Sequence, residues 1–284
     1  MSDLLASGMS RHRVAVHEHA PFWGLRADVT AEDIPARARQ FLPRLGSAFY
    51  SHATAARIWG IPLPPWLEAD DRLHVSFARG HRAPAAEGLA GHELAVSADD
   101  VTRWSGVPLT TPSRTWRDLC SMLEPRDLVA AGDHILRAAL GTPASLAAAT
   151  ATPRFRGRTG ARLALPMLDP GAESPPESLL RFALTMAGLP SMVANQSLFD
   201  VEGRFVARPD LRFTAYPVVV EYDGDGHRTS DSQWRRDVER FAAIEDLGLD
   251  VIRATADDVP FFHGTVSRAR RRLVRRGWTG IPSR

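Results

Sequence analysis

The alternation of apolar and polar positions is sharpest between residues 205 and 223. Phe205, Ala207, Pro209, Leu211 and Phe213 alternate with Val206, Arg208, Asp210 and Arg212. That is the two-residue period of a strand with one apolar and one polar face. Val218, Val219 and Val220 then run on without a polar break, which predicts a strand buried on both sides. Thr214, Ala215, Tyr216 and Pro217 leave room for a tight connection, so the two runs predict a hairpin. A turn centred between Ala215 and Tyr216 sets Asp210 opposite Glu221, on the face that Asp223 continues. Cross-strand neighbours hold their Cβ atoms about 5 Å apart. Two carboxylates at that distance repel unless one takes a proton or a cation lies between them. The plainer reading is a solvated acidic face, with Asp223-Gly224-Asp225-Gly226 as an ordinary turn. Against it, a carboxylate at the end of a buried strand is costly unless paired or metal-bound. Oxygen donors in this arrangement suit a hard cation such as Mg²⁺.

The neighbouring segments predict a helix, three strands, a helix, a strand and a helix. Ser174-Pro175-Pro176-Glu177 reads as a capping box, with the helix running to Gly188. Glu177 shares the stripe of Leu180 and Leu184, so it either caps only or also reaches the acidic pair. Met192 to Phe199 is the first strand, and Asp200 to Gly203 turns the chain into the central stretch. Ser230 to Gln233 opens the next helix, with Trp234, Val238, Phe241 and Ile244 inward and Gly248 ending it. Asp237 lies one turn before Phe241. Val251 and Ile252 form the last buried strand. Val266 to Arg276 is a helix carrying Arg268, Arg270, Arg271, Arg272, Arg275 and Arg276. Such a row is either a solvated face or, with no acid among the six, the seat of an anionic partner, DNA first.

The first half alternates short strands and helices. Ala31 to Leu42 reads as a helix with Glu32 and Asp33 in its first turn. Ser51 caps a helix that Gly60 ends, with Ile58 and Trp59 inward. Leu73 to Phe77, Leu94 to Val96 and Val107 to Leu109 read as strands. Helices follow over Thr110 to Leu119 and over Leu128 to Leu140, where Asp133-His134 sits among apolar neighbours, a tempting catalytic pair read as structural. His17 and His19 share one side of a strand, as a surface pair or a possible metal pair. The Ala-rich piece Ser145 to Ala151 is helical, and Arg154, Arg156, Arg158 and Arg162 form a basic stretch placed for phosphate contact. The division is 1–140, a mixed α/β domain; 141–173, a basic linker; and 174–284, an α/β domain.

Composition narrows the chemistry. At 284 residues, 44% of them hydrophobic, the chain can bury a sizeable core. A formal charge of +2 argues for no partner by itself, and all 35 basic residues are arginine. Arginine is the bidentate phosphate binder, although genomic base composition gives the same bias. A single cysteine, Cys120, excludes a disulfide framework and a thiolate zinc site, so no zinc is expected. With no signal peptide and no long apolar run, a cytoplasmic protein with no membrane partner is expected.

Arg208-Pro209-Asp210, Glu221-Tyr222-Asp223-Gly224, His227 and Arg236-Asp237 with Arg240 together resemble the very-short-patch-repair-like endonuclease domain. That family (domain of unknown function 559) belongs to the PD-(D/E)XK nucleases. The resemblance covers roughly the last two fifths of the chain. It implies a restriction-endonuclease-like αβββαβ core with a mixed sheet, and cleavage of nucleic acid, chiefly DNA, with Mg²⁺ or Mn²⁺. Asp210, Glu221 and Glu177 would then be metal ligands, with His227, Asp237 and Asp223 in catalytic places. Arg208, Arg212, Arg228, Arg268, Arg271, Arg272 and Arg275 would meet the nucleic acid. The superfamily lysine is absent: Asp223 stands at its position, and the chain has no lysine at all. The first half resembles abortive-infection (AbiEi-type) antitoxin proteins through Ser51-His52-Ala53-Thr54-Ala55-Ala56, Trp59-Gly60 and Thr111-Pro112-Ser113-Arg114-Thr115. The expectation is a metal-dependent endonuclease, and the alternative a DNA-binding regulator that keeps a silent nuclease fold.

Overall fold

The computed structural model describes residues 19–22, 25–27, 34–80, 87–223, 231–259 and 261–280, with backbone alone for 19–27, 35 and 231–237. The elements are β1 (His19–Phe22), β2 (Leu25–Ala27), α1 (Ile34–Leu45), β3 (Phe49–Tyr50), α2 (His52–Trp59), α3 (Pro65–Glu68), β4 (Leu73–Ala78) and β5 (Leu89–Leu94). They continue as β6 (Val101–Trp104), β7 (Val107–Thr110), α4 (Pro112–Leu119), α5 (Pro125–Arg137), α6 (Pro143–Thr150), α7 (Arg158–Ala164) and α8 (Pro175–Met186). The last are β8 (Met192–Ala194), β9 (Leu198–Phe199), β10 (Phe205–Ala207), β11 (Leu211–Phe213), β12 (Val218–Asp223), α9 (Asp231–Asp246), β13 (Asp250–Thr255) and α10 (His263–Arg275). The chain is an α/β protein of two compact units, 1–123 with 140–161, and 124–139 with 162–284. Among the described residues, no helix is long and apolar enough to cross a membrane.

The first unit holds a five-stranded sheet ordered β5-β4-β3-β7-β6. Its β4/β5 and β3/β7 pairs are parallel and the other two antiparallel. Ile34, Ala38 and Phe41 of α1 pack with Tyr50, Leu73, Val75, Val107 and Leu109, and the Tyr50 hydroxyl donates to Ala38 O at 2.7 Å. Gly60 ends α2 in the left-handed region at φ +71°, the conformation in which glycine has no Cβ penalty. Ser51 stands at the N-cap of α2 but its hydroxyl does not cap the helix; it bonds His52 Nδ1 at 2.7 Å and Ser76 Oγ at 2.5 Å. The Thr111–Thr115 motif is structural work. Thr111 caps α4, and buried Arg114 bonds Asp118 and Asp100 at 2.9 Å each. The predicted strand at Leu94–Val96 falls earlier, at Leu89–Leu94, and β6 is a strand with too short an alternation to announce itself. The segment read as a linker carries α6 and α7.

The second unit is built on a four-stranded sheet ordered β13-β12-β11-β8, with β12/β13 parallel and the other pairs antiparallel. Val218, Val219 and Val220 are fully buried because helices cover both faces. Leu180 and Leu184 of α8, with Ala269 and Leu273 of α10, pack on the face of Val218 and Val220. Ile244 of α9 packs with Val219 on the other. Counting the strands of the main sheet alone, α8, β8, β11, β12, α9 and β13 follow the αβββαβ succession expected, with the β9–β10 ribbon inserted after β8. Three local expectations fail. Met192 to Phe199 is not one strand: it splits into β8 in the main sheet and β9 in the ribbon. Residues 205–213 do not form one strand: β10 pairs with β9 in a separate ribbon, and only β11 joins the main sheet. Pro209 interrupts the ladder because it has no N–H to donate. Val238 is 47% exposed rather than inward. Helix α5 packs on α8, where Asp133 accepts from Arg181 Nη2 and from the Asp169 N–H, each at 2.7 Å. That is the structural role expected of Asp133.

Candidate active site

The register of β11 against β12 pairs Leu211 with Val220 and Arg212 with Val219. One step further along the same register sets Asp210 beside Glu221, the pairing that a turn centred between Ala215 and Tyr216 requires. Asp210 lies immediately before the first residue of β11, where the backbone bends. Its Oδ2 accepts the Tyr222 N–H at 2.6 Å, so the side chain turns back onto β12 rather than out to solvent. Its backbone oxygen accepts the Asn195 N–H at 3.0 Å.

Glu177 approaches from α8 and is only 8% exposed. Ser174 Oγ donates to its Oε1 at 2.7 Å, and the Glu173 N–H and Asn195 Nδ2 donate to its Oε2 at 2.8 Å each. Ser174 caps α8 as the sequence predicts, but Glu177 returns the bond to the residue before the cap. Glu177 does more than cap: its charge also acts on Asp210. Glu221, 4% exposed, accepts from Arg240 Nη1 of α9 at 2.5 Å.

Burial pushes the Asp210 carboxyl up to about 7. The Tyr222 N–H opposes that, and the negative charges of Glu177 and Glu221 add to it, with Arg240 pulling the other way. Glu177, Asp210 and Glu221, from a helix, the lead-in to a strand and a strand, thus act on one another electrostatically, and Asp210 is the one whose charge is disfavoured. Carboxylate oxygens are the donors that a hard divalent cation takes, but among the described residues these three do not form a group with one ligand atom of each within 4.8 Å of the others.

The other predicted site residues divide. Asp223 forms an ion pair with Arg253 of β13. His227 and Arg228 lie outside the described residues, as do the side chains of Asp237 and of His17 and His19. Arg208 bonds Glu173 at 2.9 Å and Arg212 bonds Gln196 at 3.1 Å. On α10 the arginines are less alike than the sequence implies. Arg268 bonds Asp258 at 3.0 Å, Arg276 bonds Asp250 at 2.7 Å, and Arg272 lies 3.7 Å from Asp250. Arg270 donates to Ala187 O at 2.9 Å. The acids missing from the helix come from β13 and the turn after it, which the row of six could not reveal. Asn195 was not anticipated either; it stands at φ +50° and joins Glu177 to the Asp210 backbone.

Two Mycobacterium tuberculosis proteins, the uncharacterized proteins Rv2248 (strain ATCC 25618 / H37Rv) and MT2308 (strain CDC 1551 / Oshkosh), are similar to this chain. Each is 29% identical over 219 residues, covering 75% of this chain and 76% of the relative. No family model matches the chain. No solved structure matches it.

Proposed function

We propose that the second unit is a metal-dependent endonuclease that hydrolyses phosphodiester bonds of DNA, working in the cytoplasm. The observation that carries this reading is the buried Asp210 carboxyl, raised to about 7 by burial and by the negative charges of Glu177 and Glu221. Asp210, Glu221 and Glu177 would hold Mg²⁺ or Mn²⁺, and the cation would supply Lewis-acid polarisation of a phosphate oxygen. Asp210 Oδ2 is taken by the Tyr222 N–H, so the proton of the neutral acid belongs on Oδ1, which would have to give it up to hold a cation. Asn195 and Ser174 hold Glu177 in place, and Arg240 orients Glu221. His227 and Asp237 are the candidates for moving protons to and from the reacting oxygens, in a chain without the superfamily lysine.

A second reading, a DNA-binding regulator with a silent nuclease fold, draws on the same bonds. Arg240 already brings a positive charge to Glu221, which lessens the need for a metal. Purified protein incubated with duplex DNA, single-stranded DNA and RNA, with Mg²⁺, Mn²⁺ or chelator, separates the two. The endonuclease reading expects metal-dependent cleavage, and a fall of about 100-fold or more in Glu221→Gln, the size of a lost electrostatic partner at a reacting centre. DNA binding without cleavage under either metal establishes the regulator instead.

A further inference from the structure

In the first unit three histidines from three separate elements meet: His52 at the start of α2, His74 in β4 and His92 in β5. One ring nitrogen of each lies within 4.8 Å of the other two. The strands are parallel neighbours with His74 one ladder step from the residue beside His92 (Val75 pairs Gly91, Ser76 pairs His92), so the two rings emerge close together. His74 Nδ1 stands 3.0 Å from His92 Nε2. The His52 ring stacks on that of His92, with centroids 3.9 Å apart.

His52 and His74 are 5% and 2% exposed. Burial holds His52 well below the ordinary imidazole range and His74 at about 4, with neighbouring imidazoles adding to both. Burial lowers His92 as well, so all three favour the neutral ring, the form that offers a lone pair.

We infer that His52, His74 and His92 form a binding site for a borderline transition-metal cation, Zn²⁺ or its congeners, distinct in donor chemistry from the carboxylate cluster of the second unit. Three imidazoles suit Zn²⁺, Co²⁺, Ni²⁺ or Cu²⁺ and are poor donors for Mg²⁺. The outer partners are those that metal-bound histidines use elsewhere. Ser51 Oγ holds His52 Nδ1 at 2.7 Å, leaving Nε2 for the cation. Asp70 Oδ2 lies 3.7 Å from His74 Nε2, on the side away from His92. That nitrogen is buried and makes no hydrogen bond within the described residues, which is the place of a carboxylate behind a ligating ring. The backbone of His74 is fixed by Thr54 Oγ1 at 2.7 Å. His52 sits at φ +47°, a conformation sparse for residues with a side chain. Three protein ligands leave a fourth position open to water or a small anion. The expectation of no zinc came from the cysteine count, which does not speak to an imidazole donor set.

The test is metal uptake by the full-length protein, freed of any histidine tag and stripped with chelator. The expected result is one equivalent of Co²⁺ bound with visible ligand-field absorption, displaced by Zn²⁺ and untouched by excess Mg²⁺. His92→Ala should bind Co²⁺ at least about 100-fold more weakly, since loss of an outer partner alone reaches that size. Asp210→Asn should keep the cobalt spectrum. Folding is checked by circular dichroism, and His92→Gln, which keeps a polar group of similar volume, stands in if the alanine variant does not fold. No uptake by the unaltered protein, or equal uptake by a folded His92 variant, overturns the site.

Discussion

Asp210 keeps its proton in a pH range where an exposed aspartate has long lost it. An unfolded aspartate titrates near 3.9, and in the folded protein Asp210 titrates at about 7. Because the folded value is the higher one, the stabilisation from proton uptake is fully present below about pH 4 and is lost as pH rises through 7. A shift of that size is about 4 kcal/mol by linkage, and solvent screening of a partly accessible carboxyl cuts it to nearer 1 kcal/mol. Asp210→Asn removes the titrating group and keeps an acceptor for the Tyr222 N–H. In chelator the variant should match the unaltered protein at pH 4 and exceed its stability by about 1 kcal/mol at pH 8. Urea unfolding at both pH values checks it. A variant less stable at pH 8 would mean that the ionised carboxylate supports the fold. The meeting of Asp210 and Glu221 was legible because register follows from the number of residues in one short turn. Asn195 and the histidine trio were not legible, since each contact joins elements that only tertiary packing brings together.

At the scale of the element, α10 shows where a charge row misleads. Helical period and a count of arginines establish a basic face, but ion pairing depends on what the adjacent strand offers. Asp250 and Asp258 take Arg268, Arg272 and Arg276; among the described residues Arg271 and Arg275 make no contact ion pair, although the charge of Arg275 also acts on Asp250. Of the row, those two should carry phosphate contact. Arg271→Ala with Arg275→Ala should weaken DNA binding and reduce the slope of log affinity against log salt by about 1.8, from two lost phosphate contacts at about 0.9 each. Fluorescence anisotropy across a salt series measures it. An unchanged slope makes the helix a solvated face. The helix ends are legible where capping residues mark them: Ser174 and Gly60 both stand at the predicted ends. The strand at 205–213 was overextended because alternation persists through Pro209, while pairing does not.

At the scale of the molecule, α5 decides what can be cut. Its Leu128, Val129 and Ile135 are fully buried, and its Asp133 is the partner of Arg181 on α8. A fragment of residues 162–284 has the whole sheet and lacks that helix. Removing α5 uncovers the face of α8 that it packs on and breaks that ion pair, and a marginally stable domain has little to spare. Residues 124–284 should therefore melt cooperatively, and residues 162–284 should not. Thermal unfolding followed by circular dichroism distinguishes them, and equal melts would show that α5 is dispensable.

The interleaving of 124–139 and 140–161 between the two units has a consequence for inheritance. Any single crossover between residues 123 and 162 leaves one unit without a segment that it needs. Recombination therefore cannot trade either half as a module in one event. The histidine cluster and the carboxylate cluster would travel through descent as a linked pair, even if their chemistries never meet.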